Sequence, residues 1–280
     1  MKSTTELHKK ITKINGINLS YKQGGEGDPL VLLHGFGTSS ATWNSVLHLF
    51  GNGNSYYLVD LPGHGDSGRE SADVYSVTYL ADLISEFVLS LELQHYTMIG
   101  HSLGGIIALR FALNNYASKI NRLKRLVLID SASYHQKLPR LLRYYKIISQ
   151  SKCFFDVMPK NTLAYLGLRE VFYNHDKIPE GLVKEYARGL RIKGTRDALR
   201  AITLSLANEI ENTPVQKYDE ITIPTLIIWG EHDKLIPPEM GVKLHDDINN
   251  SQLFMVPNCG HAPQEECPEI TGKILKDFIG

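Results

Sequence analysis

The stretch Ile99-Gly100-His101-Ser102-Leu103-Gly104-Gly105 constrains the fold of this chain more than any other. Ahead of it, Tyr96-Thr97-Met98-Ile99 is short, apolar and rich in strand formers; behind it, Ile106, Ile107, Ala108, Leu109, Phe111, Ala112 and Leu113 are apolar almost all round, as a buried helix requires. A strand that passes so directly into a helix must turn sharply at the residue between them. Side chains two positions before and two after that residue would strike neighbouring backbone, and glycine at 100 and 104 removes both collisions. The turn therefore presents the Ser102 hydroxyl above the carboxyl edge of a sheet, with the Leu103 N–H at the start of the helix facing the same space. The bland alternative, a glycine-rich loop, explains neither the flanking elements nor the two partners that follow in order along the chain.

The rest of the chain reads as strands alternating with helices. Ile11 to Tyr21 alternates apolar and polar residues about Asn15-Gly16, a tight-turn pair, and predicts an antiparallel edge. Pro29 to Leu33 is continuously apolar, as a strand covered on both faces must be, and runs into His34-Gly35-Phe36-Gly37. The glycines let main-chain N–H groups approach a substrate, so the Phe36 N–H is expected to join that of Leu103 as an oxyanion hole. For His34 a hydrogen bond within the loop is the better reading than direct catalysis. Tyr56 to Asp60 is a further strand, and Leu61 to Gly68 a turn-rich loop in which Asp60, His64 and Asp66 are expected to fix local backbone. Leu80, Leu83, Ile84, Phe87, Val88 and Leu91 repeat at helical spacing, and Lys124 to Asp130 supplies the strand beyond the Ser102 helix. Such alternation predicts a mostly parallel central sheet flanked by helices, with its loops gathered at one edge.

From about Ala132 to Lys217 no strand pattern survives. Amphipathic stretches recur at Leu138–Ile148, Leu163–Tyr173, Leu182–Leu190 and Asp197–Ile210. The simplest organisation is a helical cap, residues 132–217, inserted after the sixth strand of a core formed by 1–131 and 218–280. The cap holds 15 Lys and Arg against 8 Asp and Glu, a net of +7 that the remainder of this electroneutral chain offsets. Most of these charges belong on solvated helix faces; the sharper alternative is a lid that attracts a carboxylate-bearing substrate or rests near an anionic surface. Strands resume at Pro224 to Gly230, which places Asp233 just past a carboxyl end, and at Gln252 to Val256, which runs into the loop holding His261. A closing helix spans about Pro268 to Ile279.

Composition narrows the function. Thirty basic and thirty acidic side chains leave no global signal for nucleic acid, and no apolar run approaches the roughly twenty residues that would cross a bilayer. The N-terminal residues lack the apolar core of a secretory signal, so a cytoplasmic product is expected. Three cysteines, Cys153, Cys259 and Cys267, have no metal-ligand spacing and read as reduced thiols. Oligomeric state leaves no signature.

A serine hydroxyl attacks a carbonyl at neutral pH only when a base takes its proton as the bond forms. An imidazole, titrating near pH ~6.5, can do so and then return the proton to the leaving group. His261 fits that role, and Asp233 would hold its tautomer; Asp130, also at a strand end, is the rival acid. The order Ser102, Asp233, His261 is that of the α/β-hydrolases.

With His34-Gly35-Phe36-Gly37, Pro62-Gly63-His64-Gly65-Asp66-Ser67, Gly100 to Gly105, Gly230-Glu231-His232-Asp233 and Gly260-His261, the chain resembles lid-bearing serine hydrolases of the α/β-hydrolase superfamily over nearly its whole length. The resemblance implies a pocket between sheet and lid, no metal and no organic cofactor. It also favours Asp233 over Asp130, and leaves His101 and His232 to shape the pocket rim or bond locally. Hydrolysis of small to medium carboxylic esters through an acyl-enzyme on Ser102 is the expected activity. A carbon-carbon bond hydrolase acting on a vinylogous diketone acid is the second reading, although His101 stands where that group commonly has Asn, and Ala262 where an aromatic residue is usual. Dehalogenases and epoxide hydrolases of this superfamily use an Asp nucleophile, which Ser102 replaces. A hydrolase-fold receptor with slow turnover is the non-enzymatic alternative.

Overall fold

The computed structural model describes residues 6–51, 53–69, 75–118, 122–134, 139–151, 155, 157–212 and 217–280. Its strands are β1 (His8–Ile14), β2 (Ile17–Gly25), β3 (Asp28–Leu33), β4 (Asn54–Val59), β5 (Tyr96–His101), β6 (Leu123–Ile129), β7 (Thr225–Gly230) and β8 (Ser251–Val256). Its helices are α1 (Val77–Ser90), α2 (Leu103–Ser118), α3 (Arg140–Ile148), α4 (Lys160–Val171), α5 (Glu180–Arg191), α6 (Thr195–Asn212), α7 (Glu239–Asp247), the short α8 (Pro263–Glu266) and α9 (Pro268–Ile279). The expected helix start at Leu138, Cys153 and the first five residues lie outside the described residues.

All eight strands join one sheet in the order β1-β2-β4-β3-β5-β6-β7-β8. From β4 to β8 each neighbouring pair is parallel, whereas β2 runs antiparallel to both β1 and β4. Asn15 (φ 48°) and Gly16 (φ 85°) make the turn between β1 and β2 with the two positive angles that a tight hairpin needs. β2 continues past Tyr21 to Gly25, because residues 21–25 find a second partner in β4.

The continuous apolar runs are explained by two cores, one on each face. Val31, Leu33, Met98, Leu126, Leu128, Ile227 and Trp229 pack beneath α1 and α2. The alternate residues Leu30, Leu32, Ile99, Val127, Ile129, Leu226 and Ile228 pack on the other face with Leu275 and Ile279 of α9. Burying each such side chain fully contributes about 1.5–3 kcal/mol, so a central strand with both faces covered is held tightly in register.

Helices α3 to α6 occupy the span between β6 and β7, with no strand among the described residues there. They are tied to the sheet side by polar contacts. Arg188 of α5 pairs with Asp66 at 3.1 Å, Arg69 Nε donates to Thr195 Oγ1 at 2.8 Å, and the Val77 N–H at the head of α1 donates to Glu209 of α6 at 2.8 Å. No helix of the described residues is long and apolar enough to cross a membrane.

Candidate active site

Because β3, β5, β7 and β8 all point the same way, the loops after them open on one edge of the sheet. Those four loops carry Phe36, Ser102, Asp233 and His261.

Ser102 sits at φ 52°, in the left-handed region that a side chain tolerates only under constraint. A Cβ on Gly100 would lie 2.4 Å from the Gly104 carbonyl oxygen, and one on Gly104 would lie 2.3 Å from that of Leu33. Both glycines are therefore required by close approach, as the spacing predicts. The Ser102 carbonyl accepts from Gly105 and Ile106 and so starts α2. Among the described residues neither the Leu103 N–H nor the Phe36 N–H has an acceptor, and both residues border the same cavity as Ser102. Two unspent donors beside a nucleophile are what a developing oxyanion requires.

His261 Nε2 lies 2.9 Å from Ser102 Oγ, and its Nδ1 lies 2.6 Å from Asp233 Oδ2. Nδ1 therefore donates to the carboxylate, and Nε2 is left to accept from the serine hydroxyl. The other Asp233 oxygen accepts from the Leu235 and Ile236 N–H groups at 2.7 and 3.0 Å, so the carboxylate is fixed at both ends. Trp229 Nε1 donates to the Ile236 carbonyl and braces that loop against β7.

The rival Asp130 stands behind this pair: Asp130, Asp233 and His261 each place one polar atom within 4.8 Å of the others. Asp130 Oδ1 accepts from the Gly230 N–H at 3.0 Å. Burial first, then the nearby Asp233 charge, push its carboxyl well above the usual carboxylate range.

The remaining polar loop residues divide. His34 donates from Nδ1 to Gly35 and accepts the Leu61 N–H at Nε2; burial lowers its pKa and keeps it neutral. Asp60 accepts from the Asp66 main chain and His64 bonds the Pro62 carbonyl, the local roles expected of them; Asp60 also accepts from the Ser40 N–H, 20 residues away. Asp66 reaches further: its side chain pairs with Lys9 and Arg188, and these cations hold it below its ordinary range. His232 stacks on Tyr173 with ring centres 4.0 Å apart. His101 lines the cavity and hydrogen-bonds the His261 carbonyl through Nε2 at 2.8 Å; burial foremost pushes its pKa down to about 3. Cys259 and Cys267 are free, buried thiols.

Several residues that position His261 carry no sequence signal. The His261 N–H donates to the Val171 carbonyl, at the end of α4, at 2.7 Å. Glu266 accepts from Gly260 (2.7 Å), Tyr173 (3.0 Å) and Asn174 (2.7 Å), which joins the histidine loop to the chain leaving α4. Its neighbour Glu265 accepts from the Tyr186 hydroxyl of α5, and burial raises its pKa to about 7. Apart from Gly260, six residues away, the partners of the two carboxyl groups lie 79 to 93 residues away along the chain.

Above Ser102 lies a cavity of about 410 Å³. Phe36, Leu103 and His261 line it from the sheet side; Leu142, Leu163 and Tyr186 line it from the intervening helices. Its described lining includes neither Lys nor Arg, and Glu170 is the one Asp or Glu there.

The family model described as "alpha/beta hydrolase fold" matches residues 28–268. The chain belongs to that family. It is 28% identical over 272 residues to "Uncharacterized hydrolase YugF" of Bacillus subtilis (strain 168), covering 95% of this chain and 96% of that one. It is also 28% identical over 263 residues to "Monoacylglycerol lipase ABHD6" of Mus musculus, covering 91% and 76%. Among solved structures, the meta-cleavage product hydrolase CumD from Pseudomonas fluorescens IP01 superimposes with a TM-score of 0.82 over 96% of this chain and 97% of that one; at 21% identity it shares the fold.

Proposed function

We propose that this hydrolase cleaves carboxylic esters through an acyl-enzyme on Ser102, with His261 as base, Asp233 as its partner, and the Phe36 and Leu103 N–H groups as the oxyanion hole. The observation that carries the reading is the unbroken chain from Ser102 Oγ through His261 to Asp233, at 2.9 and 2.6 Å. As Oγ bonds to the ester carbonyl carbon, its proton passes to Nε2 and the carbonyl oxygen takes up negative charge against the two N–H groups. Collapse of this intermediate breaks the bond to the alkoxy oxygen, which leaves with the proton from Nε2. Water then repeats the sequence on the acyl-enzyme and releases the acid. Asp233 stabilises the imidazolium that each half-reaction creates.

Residues 132–217 serve as a cap over a core of 1–131 and 218–280, and the cavity between them selects the acyl group. Its apolar lining suits a neutral hydrocarbon chain; a carboxylate-bearing ester, the sharper alternative for the cap's net charge, would meet no Lys or Arg in the described lining. The name of the mouse relative, a monoacylglycerol lipase, is consistent with such a substrate. The test is a panel of neutral and anionic esters of increasing acyl length, run beside a vinylogous diketone acid. The reading predicts that neutral medium-chain esters have the highest kcat/KM and that Ser102→Ala lowers kcat by at least about 10⁴-fold. A preference for the diketone acid would transfer the assignment to carbon-carbon bond hydrolysis. Ligand binding without turnover of any panel member would point to a receptor.

A further inference from the structure

The net charge of +7 between residues 132 and 217 gains meaning from where the described cations stand. Helix α3 has two unlike sides. Leu142 and Ser149 are buried and Tyr145 half-buried, whereas Arg140, Arg143, Tyr144, Lys146 and Ile147 are exposed. This is the spacing of one inward and one outward stripe on a short helix. The outward stripe is not simply polar: Ile147 is 66% exposed and Tyr144 47%. In the chain between α3 and α4, Val157 is 77% exposed, and within α4 Leu166 is 47% exposed, three residues before the exposed Arg169.

Tyr144 and Leu166 also line the cavity above Ser102, so they mark its mouth. Arg143, Lys146 and Arg169 form no ion pair among the described residues, in contrast to Arg188 and Lys184 of α5, which do. Exposed apolar side chains are unfavourable in water, and those of α3 and α4 stand beside solvated cations that have no acidic partner in an ion pair; the combination matches an interface with anionic headgroups above hydrocarbon.

We propose that the outer face of α3, with the adjoining side of α4, docks on an anionic phospholipid surface and sets the cavity mouth against it. Ile147 and Val157 enter the headgroup layer while Arg143, Lys146 and Arg169 lie against the phosphates. The attachment is peripheral, since α3 has only nine residues and no described helix can span a bilayer. Docking stands on this face alone; that an ester enters from the lipid rests on the hydrolase reading above.

The test is flotation of the full chain with vesicles of phosphatidylcholine, with and without phosphatidylglycerol, at low and high salt. At low salt at least about tenfold more protein should float with the anionic vesicles, and high salt should abolish the difference. The double variant Lys146→Glu/Ile147→Glu should lose flotation while keeping its melting temperature and its rate on a soluble short-chain ester. Equal flotation of variant and wild type, or no gain from the anionic lipid, would overturn the proposal. So would sedimentation showing a dimer that the double variant splits, because a second copy would then cover the face. Docking that persists with no ester turned over would remove the hydrolase reading and leave the docking intact.

Discussion

Two carboxyl groups stand behind His261, and their surroundings give them opposite work. Asp233 has both oxygens engaged, one by the imidazole and the other by two backbone N–H groups. Asp130 receives one backbone N–H and is otherwise buried beside Asp233, which raises its pKa and favours its neutral form. A neutral carboxyl can be replaced by an amide at small cost; a carboxylate that fixes a tautomer cannot. Asp233→Asn should therefore lower kcat on a short-chain ester by about 10⁴-fold, and Asp130→Asn by no more than about threefold. Comparable losses in the two variants, measured by steady-state kinetics, would show that the acids share the role. Residue type and position do not separate the two acids in the sequence, since both follow a strand; the family resemblance favours Asp233, and the folded contacts show how their surroundings differ.

At the scale of elements, the segment from Cys259 to Cys267, which holds His261, is bonded to the intervening helices. The His261 peptide is held on both sides, its N–H by Val171 and its carbonyl by His101, while Glu266 gathers three N–H groups from two segments. The end of α4 thus helps hold His261, the proposed base, in place. Glu265, one residue away, makes the same junction sensitive to pH. Its folded pKa of about 7 lies above the ordinary 4.5, so the folded state binds this proton more tightly than the unfolded chain. The resulting stabilisation is complete below about pH 4.5 and is lost as pH rises through about 7; at ~1.4 kcal/mol per unit it amounts to about 3 kcal/mol. Glu265→Gln does not titrate, and the Tyr186 hydroxyl can still donate to its amide oxygen. The unfolding free energy of the variant minus that of wild type should climb by up to about 3 kcal/mol between pH 4.5 and 8 in urea titrations. Parallel curves would mean that Glu265 carries no raised pKa.

For the whole molecule, what could be read in advance was whatever is encoded locally. The Ser102 turn announces itself because Gly100 and Gly104 are sterically required, and the buried strands because two-sided burial leaves no polar position in Leu30 to Leu33 or Leu226 to Trp229. Crowding by glycine and proline points to the short-range bonds of His34 to Gly35 and Asp60 to Asp66, but not to the longer reach of His34 to Leu61 and Asp60 to Ser40. Contacts that close over long stretches of chain could not be read: Asp66 was assigned to its own loop but reaches Lys9 and Arg188, and Glu266 meets Tyr173 across 93 residues. The central claim is that one serine among many is made nucleophilic by this convergence. Its most direct test is labelling with a fluorophosphonate, read by intact mass and peptide mapping. The wild-type chain should take one adduct, on the peptide containing Ser102; Ser102→Ala should take none, and His261→Ala should react at least about 100-fold more slowly. An adduct on any other residue, or undiminished labelling of Ser102→Ala, would contradict the account.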